Sequence, residues 1–206
     1  MRVQKRNLLG PALLTAVVGV LAWGQFEPRA TGFTPTASEG SIASSDGGVP
    51  VAYTVDARST EAWVFFDFAR SAVIDTSFEA GGWDIALRRT QLRTNGGITN
   101  RRGNVAVANL GAVAFDLTAI PERPVFATDR LGGDDGDEVV NNAIPKWYRY
   151  NFISHAVSAR DAVYDVRTDR GRDALVRFES YYCEDGSPGC VTVRYLLVPH
   201  ATAESR

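Results

Sequence analysis

Residues 162–198 read AVYDVRTDRGRDALVRFESYYCEDGSPGCVTVRYLLV, and this stretch decides the fold. Apolar or aromatic residues alternate with polar or charged ones in three runs, residues 164–168, 174–182 and 191–197. Alternation with a period of two indicates half-buried β-strands. The connecting residues 169–172 and 184–189 contain Gly, Asp and Pro, which favour turns. The sequence therefore predicts a meander of three antiparallel strands.

Two cysteines predict how these strands align. If Cys183 pairs with Cys190, counting back in antiparallel order sets the register of the second hairpin, and charge pairing sets that of the first. A slip of one residue would turn every side chain to the opposite face. The partners predicted in this way are Tyr182 with Val191, Phe178 with Tyr195, Val176 with Leu197, Glu179 with Arg194 and, in the first hairpin, Asp165 with Arg177 and Tyr164 with Phe178.

The same cysteines indicate the compartment. A disulfide between Cys183 and Cys190 would close a short loop, with an entropic gain of at most about 3 kcal/mol. Disulfides form and persist in oxidising environments, so the pair predicts a domain outside the cytoplasm. The alternative is a pair of free cytosolic thiols or a redox switch.

Residues 1–26 predict a membrane anchor. Arg2, Lys5 and Arg6 precede an uncharged run of residues 7–26, which as a helix would be about 30 Å long. A basic N-terminus stays in the cytoplasm. Residues 8–26 would therefore cross the inner (cytoplasmic) membrane once and leave the C-terminal domain in the periplasm. The alternative is a cleaved signal peptide, since residues 20–22 offer small side chains to a peptidase.

The rest of the chain divides into a linker, one domain and a tail. Residues 27–49 are rich in Gly, Pro, Ser and Thr, which predicts a flexible linker. Residues 50–200 suit a single domain with its own core, and residues 201–206 form the tail. The formal net charge is only −2 and no basic stripe stands out, so nucleic-acid binding is not expected.

The first half of the domain also predicts strands, at residues 51–56, 62–68, 83–89 and 105–108. Both faces of residues 62–68 are largely apolar, which indicates a central strand that is covered on both sides. Residues 94–97 read TNGG and predict a hairpin turn. Residues 111–145 are irregular, and residues 146–155 predict an aromatic-rich strand that leads into the meander. The fold class is therefore all-β, a single antiparallel domain after one transmembrane helix.

Four segments in this order resemble the HmuY-like family. They are FFDF at residues 65–68, WDIALRRTQLRTNGG at 83–97, WYRYNFISH at 147–155 and VYDVRTDRGRDALVRFESYY at 163–182. The resemblance implies an extracytoplasmic all-β protein that binds haem through a pair of axial ligands. The histidines of this chain are His155 and His200, and its one methionine is Met1. Unlike lipoprotein members of the family, this chain has no lipobox cysteine directly after its apolar run.

Other candidate sites have weaker patterns. Asp134, Asp135, Asp137 and Glu138 offer the oxygen ligands that Ca²⁺ prefers, but without the spacing of an EF-hand, and the alternative is a solvated acidic loop. No nucleophile motif or phosphate-binding glycine motif occurs, so the chain is not expected to be an enzyme. A pair of carboxylates brought together by folding is the open alternative.

The aromatic segment at residues 147–150 suggests an interface. Trp147, Tyr148 and Tyr150 accompany Arg149, and these residue types are enriched in the anchors of protein interfaces. The alternative is that these side chains belong to the core.

Two functions follow from these features. The first is a non-catalytic, membrane-anchored accessory subunit without a cofactor, which docks its β-domain onto a larger membrane complex such as a respiratory or photosynthetic reaction-centre or light-harvesting assembly. The second, implied by the resemblance, is an extracytoplasmic protein that binds or transfers haem, with His155 and His200 as candidate ligands.

Overall fold

A computed structural model describes residues 49–198 of the chain. The predicted anchor, nearly all of the linker, the tail and His200 lie outside the described residues. The described part is built from antiparallel β-strands, which confirms the all-β class. Its elements are β1 Val51–Asp56, β2 Val64–Asp67, β3 Ala72–Ile74, β4 Ile85–Arg88, β5 Gln91–Thr94, β6 Ala106–Gly111, a 3-10 turn Leu117–Ala119, β7 Arg130–Gly132, β8 Glu138–Val140, β9 Tyr148–Tyr150, β10 Val157–Ala159, β11 Val163–Arg167, β12 Asp173–Tyr182 and β13 Pro188–Val198.

The larger sheet has five strands in the order β1-β13-β12-β11-β6. The predicted meander forms its centre as β11, β12 and β13. The first strand of the domain then pairs with the last, with Val51 opposite Tyr195 and Asp56 opposite Cys190. Strand β1 therefore forms one edge of the sheet by pairing with a strand that is far from it in sequence.

The predicted strand register is wrong by two residues in both hairpins. Val176 faces Tyr195 rather than Leu197, and Tyr164 faces Val176 rather than Phe178. Since side chains alternate with a period of two, a shift of two leaves the residues of β11, and those of β12 as far as Phe178, on their predicted faces. Beyond Phe178 the shift differs, and Tyr182 faces Pro188 rather than Val191. Two irregularities between Phe178 and Tyr182 absorb the difference in the second hairpin. Glu179 still forms the predicted ion pair with Arg194, as a diagonal neighbour.

The second sheet has four strands in the order β3-β2-β4-β5. Strand β2 is internal, as predicted, and Phe65, Phe66 and Phe68 in and beside it are buried. Phe66 and Phe68 contact Tyr195 of the larger sheet edge-on, at ring-centroid distances of 6.0 and 5.0 Å. The inner faces of the two sheets therefore share one core.

The chain reverses at one turn that the sequence did not predict and at one that it did. The β4–β5 hairpin turns through Arg89 and Thr90, with Arg89 at a φ of 54°. The predicted turn at residues 94–97 also reverses the chain, and Gly96 pairs with Asn104 beyond it. A Cβ atom on Gly96 would lie 2.1 Å from the carbonyl oxygen of Val105, so only glycine permits this approach.

The strand predicted at residues 146–155 is mostly wrong. Only β9 is extended, and it forms a two-stranded sheet with β10. The side-chain oxygen of Asn151 accepts hydrogen bonds from the backbone of Ile153 (2.9 Å) and Ser154 (3.1 Å), which forms a turn instead of a strand. Within residues 49–198, no helix has the length and apolar character needed to cross a membrane.

Candidate functional site

Residues 150–156 form an ordered, solvent-facing loop, called here the His155 loop. The backbone N–H of Asn151 donates to the carbonyl of Ala156 at 2.8 Å and closes the loop. Within the loop, the Asn151 side chain accepts hydrogen bonds from the backbone N–H groups of Ile153 and Ser154. His155 adopts a φ of 55°, in the left-handed region that few non-glycine residues occupy. The loop therefore has a defined conformation although its residues are exposed.

Tyr150 and His155 form a hydrogen-bonded pair in this loop. The phenol oxygen of Tyr150 lies 2.6 Å from Nδ1 of His155, and either group can supply the proton. The ring of Phe152 meets the ring of Tyr150 edge-on at 5.1 Å. Phe152 and Ile153 are each 83% exposed, so an uncovered apolar surface lies next to the polar pair in sequence.

The His155 loop carries the side chains that a porphyrin iron uses. Proteins hold haem iron through His, Met, Cys or Tyr. His155 is the one histidine among the described residues, and none of them is a methionine. The hydrogen bond of His155 to Tyr150 uses Nδ1, so among the described contacts Nε2 is the ring nitrogen left for a ligand. His200 lies outside the described residues, so the predicted pairing of His155 with His200 stays a prediction.

The predicted aromatic interface is wrong for Trp147. This residue is 1% exposed and stacks on Phe178 at a centroid distance of 4.9 Å. Its indole N–H donates to the carbonyl of Thr90 at 3.0 Å, so both its apolar and polar parts are satisfied in the core. Tyr148 is half-buried, whereas Arg149 and Tyr150 are exposed. The alternation of β9 thus leaves a smaller candidate interface than predicted.

The acidic residues at 134–138 form the turn between β7 and β8 and the start of β8. Their side chains are exposed. Nowhere in residues 49–198 do three or more His, Cys, Asp or Glu side chains come together in a way that could hold a metal ion. The described side chains of this turn therefore give no support to the calcium hypothesis, and their exposure fits the solvated-loop alternative.

A cleft that the sequence did not predict lies beside this turn. Its volume is about 540 Å³, which is within the range of small-molecule sites. The acidic side chains of Asp134, Asp137 and Glu138 line it together with Arg93 and Lys146. Burial lowers the pKa of Arg93, although Asp129 partly opposes the change. The residues that line the cleft come from four separate segments of the chain, so no local sequence motif could reveal it.

Two buried carboxyl groups also escaped the sequence analysis. Burial raises the pKa of Asp84 to about 7, while hydrogen bonds from the backbone of Asp169 and Phe68 act in the opposite direction. Burial also raises the pKa of Asp165 to about 6, with a further rise from Asp173. A buried acid cannot be told from a surface acid by a pattern of alternating residues.

The described residues thus form an all-β domain of antiparallel sheets that carries an exposed loop with a Tyr–His pair. The sequence matches the HmuY protein family over residues 59–195, which is more than half of the chain. The chain therefore belongs to the HmuY family. No curated protein matches it.

Solved structures share the fold. The apo HmuY analog of Tannerella forsythia has a TM-score of 0.54 at 16% identity, covering 75% of this chain and 99% of that one. Apo PinO from Porphyromonas gingivitis gives 0.55 at 16% identity, covering 75% and 100%. A Bacteroides vulgatus protein assigned as an HmuY-like heme binding protein gives 0.51 at 22% identity, covering 71% and 90%. At these identities the similarity shows the fold.

Proposed function

We propose that this chain is an extracytoplasmic haem-binding protein and that the His155 loop is where it holds the porphyrin. One observation carries the proposal. In a member of the HmuY family, an ordered loop presents a Tyr–His pair within a segment of exposed apolar side chains. The Bacteroides vulgatus protein with the same fold is assigned as heme binding, which supports the choice of ligand.

We also propose that the domain works in the periplasm, held by residues 8–26 in the inner membrane. The Cys183–Cys190 disulfide supports an oxidising compartment, because such bonds are rare in the cytosol. Labelling of intact cells with a membrane-impermeant reagent tests the location. Protection of the domain from the reagent after outer-membrane permeabilisation would contradict it.

The accessory-subunit hypothesis has less support. Family membership favours a binding protein, and no feature of residues 49–198 indicates a photosynthetic or respiratory partner. Docking onto a membrane complex stays a prediction, which mass spectrometry of proteins that co-purify after gentle detergent extraction can test.

The experiment for haem is a titration of the purified full-length chain with haemin, followed by absorption in the Soret region. We expect saturable binding that weakens strongly in His155→Asn. Asparagine is chosen because it tolerates the left-handed backbone of His155, so the loop can stay folded. His200→Ala is the matched variant for the second predicted ligand. A wild-type chain that leaves the haemin spectrum unchanged would overturn the proposal.

A further inference from the structure

We infer that the cleft lined by strands β5 and β8 binds an extended peptide of a partner protein, which adds to the free edge of β5 as a further strand. The ligand class is a segment in which apolar side chains alternate with charged ones, one of them acidic. This inference does not depend on the haem-binding function proposed above, because every residue that lines the cleft lies outside the His155 loop.

The residues that line the cleft show that two strand edges face it. They include the consecutive residues 90–93 and the consecutive residues 137–141. Neighbouring side chains of a strand point to opposite faces of its sheet, so a cleft lined by several consecutive residues runs along the edge of the strand. Strand β5 is the last strand of its sheet, and β8 pairs only with β7. Within the described residues, both strands therefore have an edge without a neighbouring strand, which is the template for strand addition.

The backbone of Leu92 is the open position on the edge of β5. The backbone N–H of Thr94 donates to the carboxylate of Asp129 at 2.8 Å and so points away from β4. Since backbone groups alternate between the two sides of an antiparallel strand, the N–H and C=O of Leu92 also point away from β4. The carbonyl of Thr90 accepts the indole N–H of Trp147 at 3.0 Å. Side chains thus occupy the edge at both ends, and no described residue bonds to the outward backbone groups of Leu92 between them.

The two faces of β5 determine which side chains a bound peptide needs. Leu92 packs against the shared core, so a peptide residue beside it on this face should be apolar. Arg93 lies on the opposite face, where its guanidinium packs on the ring of Trp63 at 4.9 Å from the centroid. Neighbouring side chains on one face of a sheet interact directly, so the peptide residue beside Arg93 should be acidic.

Arg93 has no acidic partner within the described residues. The ion pairs of residues 49–198 include neither Arg93 nor Arg88, although both guanidinium groups approach the ring of Trp63. Arg88 donates instead to the side chain of Gln91 at 2.9 Å and to the carbonyl of Glu61 at 3.3 Å. Burial lowers the pKa of Arg93, and the charge of Arg88 lowers it further. A carboxylate bound here compensates two like charges, and it fits the planar fork of a guanidinium.

The rest of the cleft favours a basic side chain in the same peptide. Asp134, Asp137 and Glu138 line it together with Lys146, and the ion pairs of the described residues include none of the four. Carboxylates therefore outnumber the ammonium group in this part of the cleft. A peptide with one acidic and one basic side chain complements both parts better than a polyanion or a polycation does.

The first test is a calorimetric titration of the purified full-length chain with the end-capped pentapeptide Val-Glu-Val-Lys-Val. We expect saturable binding. Binding should be at least about tenfold weaker when Gln replaces the Glu of the peptide, or when the protein carries Arg93→Gln, because the charge-assisted hydrogen bonds are lost. Arg101→Gln is the matched control and should leave the affinity unchanged, since Arg101 is exposed and does not line the cleft. If Arg93→Gln binds the pentapeptide as tightly as wild type does, the inference is wrong.

Backbone pairing has its own test, which needs no protein variant. The pentapeptide is made with N-methyl groups either on its Val amides or on its Glu and Lys amides. An N-methyl group removes the N–H donor, so at least one of the two forms should bind at least about tenfold more weakly. The amide of Leu92 should also exchange more slowly with deuterium in the complex. If both methylated peptides bind like the unmodified one, the peptide does not add as a strand and the inference is overturned.

Other occupants of the cleft give other results. If the linker of this chain fills the edge of β5, the amide of Leu92 is protected before any peptide is added and the pentapeptide does not bind. If a second copy of the chain fills it, sedimentation also shows a dimer. Either result overturns the inference, and neither affects the haem titration, which tests the proposed function separately.

Discussion

At the scale of single residues, Asp84 connects two loops through its two carboxylate oxygens. One accepts the backbone N–H of Phe68 and the other that of Asp169, both at 2.8 Å. We expect Asp84→Asn to destabilise the protein by about 1–3 kcal/mol, because the new amide must point its NH₂ group at one of two fixed N–H donors. Urea unfolding at pH 4, well below the raised pKa of about 7 of Asp84, measures this cost, because the wild-type carboxyl is then neutral like the amide.

Asp135→Asn is the control. Asp135 is exposed in the turn between β7 and β8, so an amide at this position can turn its NH₂ group to solvent. The control should therefore leave the stability unchanged. A loss in Asp135→Asn as large as in Asp84→Asn would contradict the argument from fixed donors.

Asp165 makes a pH-dependent contribution to the stability of the fold. Burial raises its pKa from 3.8 to about 6, Asp173 raises it further and Arg167 lowers it. Since the folded state then holds the proton more tightly than the unfolded chain, the contribution to stability is greatest below about pH 4 and is lost as the pH rises to about 6. We expect Asp165→Asn to be more stable than wild type at pH 7, by about 1 kcal/mol after allowance for solvent screening.

Unfolding curves at pH 4 and pH 7 provide the measurement for Asp165→Asn. The gain should be present at pH 7 and absent at pH 4, where the wild-type carboxyl is already protonated. The exposed Asp135→Asn serves as control and should change neither curve. A gain of the same size at both pH values would mean that ionisation is not the cause.

What the sequence could predict at this scale was residue chemistry rather than environment. The two histidines and the aromatic segment were visible, but burial separates Trp147 from Tyr150 only in the folded chain. His155 stood in a predicted strand, whereas the side chain of Asn151 bends the chain into the loop that joins His155 to Tyr150. A local side-chain hydrogen bond competes with strand formation, and alternation of residues does not report it.

At the scale of elements, the disulfide joins β13 to the turn after β12. The half-cystines are seven residues apart, so the loop they close is short. We expect removal of the bond in a Cys183→Ser, Cys190→Ser double variant to cost about 2–3 kcal/mol, mainly through a less restricted unfolded state. Thermal unfolding measures the loss.

Reductant supplies the control for the disulfide. It should lower the melting temperature of wild type toward that of the double variant and leave the variant unchanged. The far-UV circular dichroism of the folded variant should match wild type, since the meander keeps its hydrogen-bond ladders, from Val163 with Arg177 to Asp173 with Val198. A variant as stable as wild type would show that the pairing of β12 with β13 needs no covalent link.

The two-residue error in register marks the limit of sequence pattern for strands. Alternation determined the faces, so Val176 and Phe178 were correctly placed in the core. It could not distinguish registers that differ by two, because both satisfy the same faces. Hydrogen bonds within the turns determine which register forms. The backbone N–H of Thr168 donates to the carbonyl of Arg172 at 3.2 Å, and that of Cys183 donates to the carbonyl of Ser187 at 2.8 Å.

At the scale of the whole molecule, the domain extends beyond the part that matches its family. The match begins at residue 59, after β1. Yet β1 pairs with β13 over six residues, and Val55 and Ala57 are completely buried. The backbone of Ala57 also donates to the carbonyl of Gly189 at 2.9 Å. The N-terminal strand is therefore part of the core and not a continuation of the linker.

This arrangement predicts different behaviour for two truncated chains. A fragment of residues 50–206 should unfold cooperatively with a melting temperature close to that of the full-length chain, because it keeps both sheets and the shared core. A fragment of residues 60–206 retains all but the first residue of the family match but loses β1. This loss uncovers the backbone N–H and C=O groups of β13 and empties the space of Val55. We expect it to be several kcal/mol less stable and to aggregate, as judged by calorimetry and size-exclusion chromatography. If residues 60–206 fold as stably as residues 50–206, strand β1 contributes little and the family match marks the true boundary of the domain.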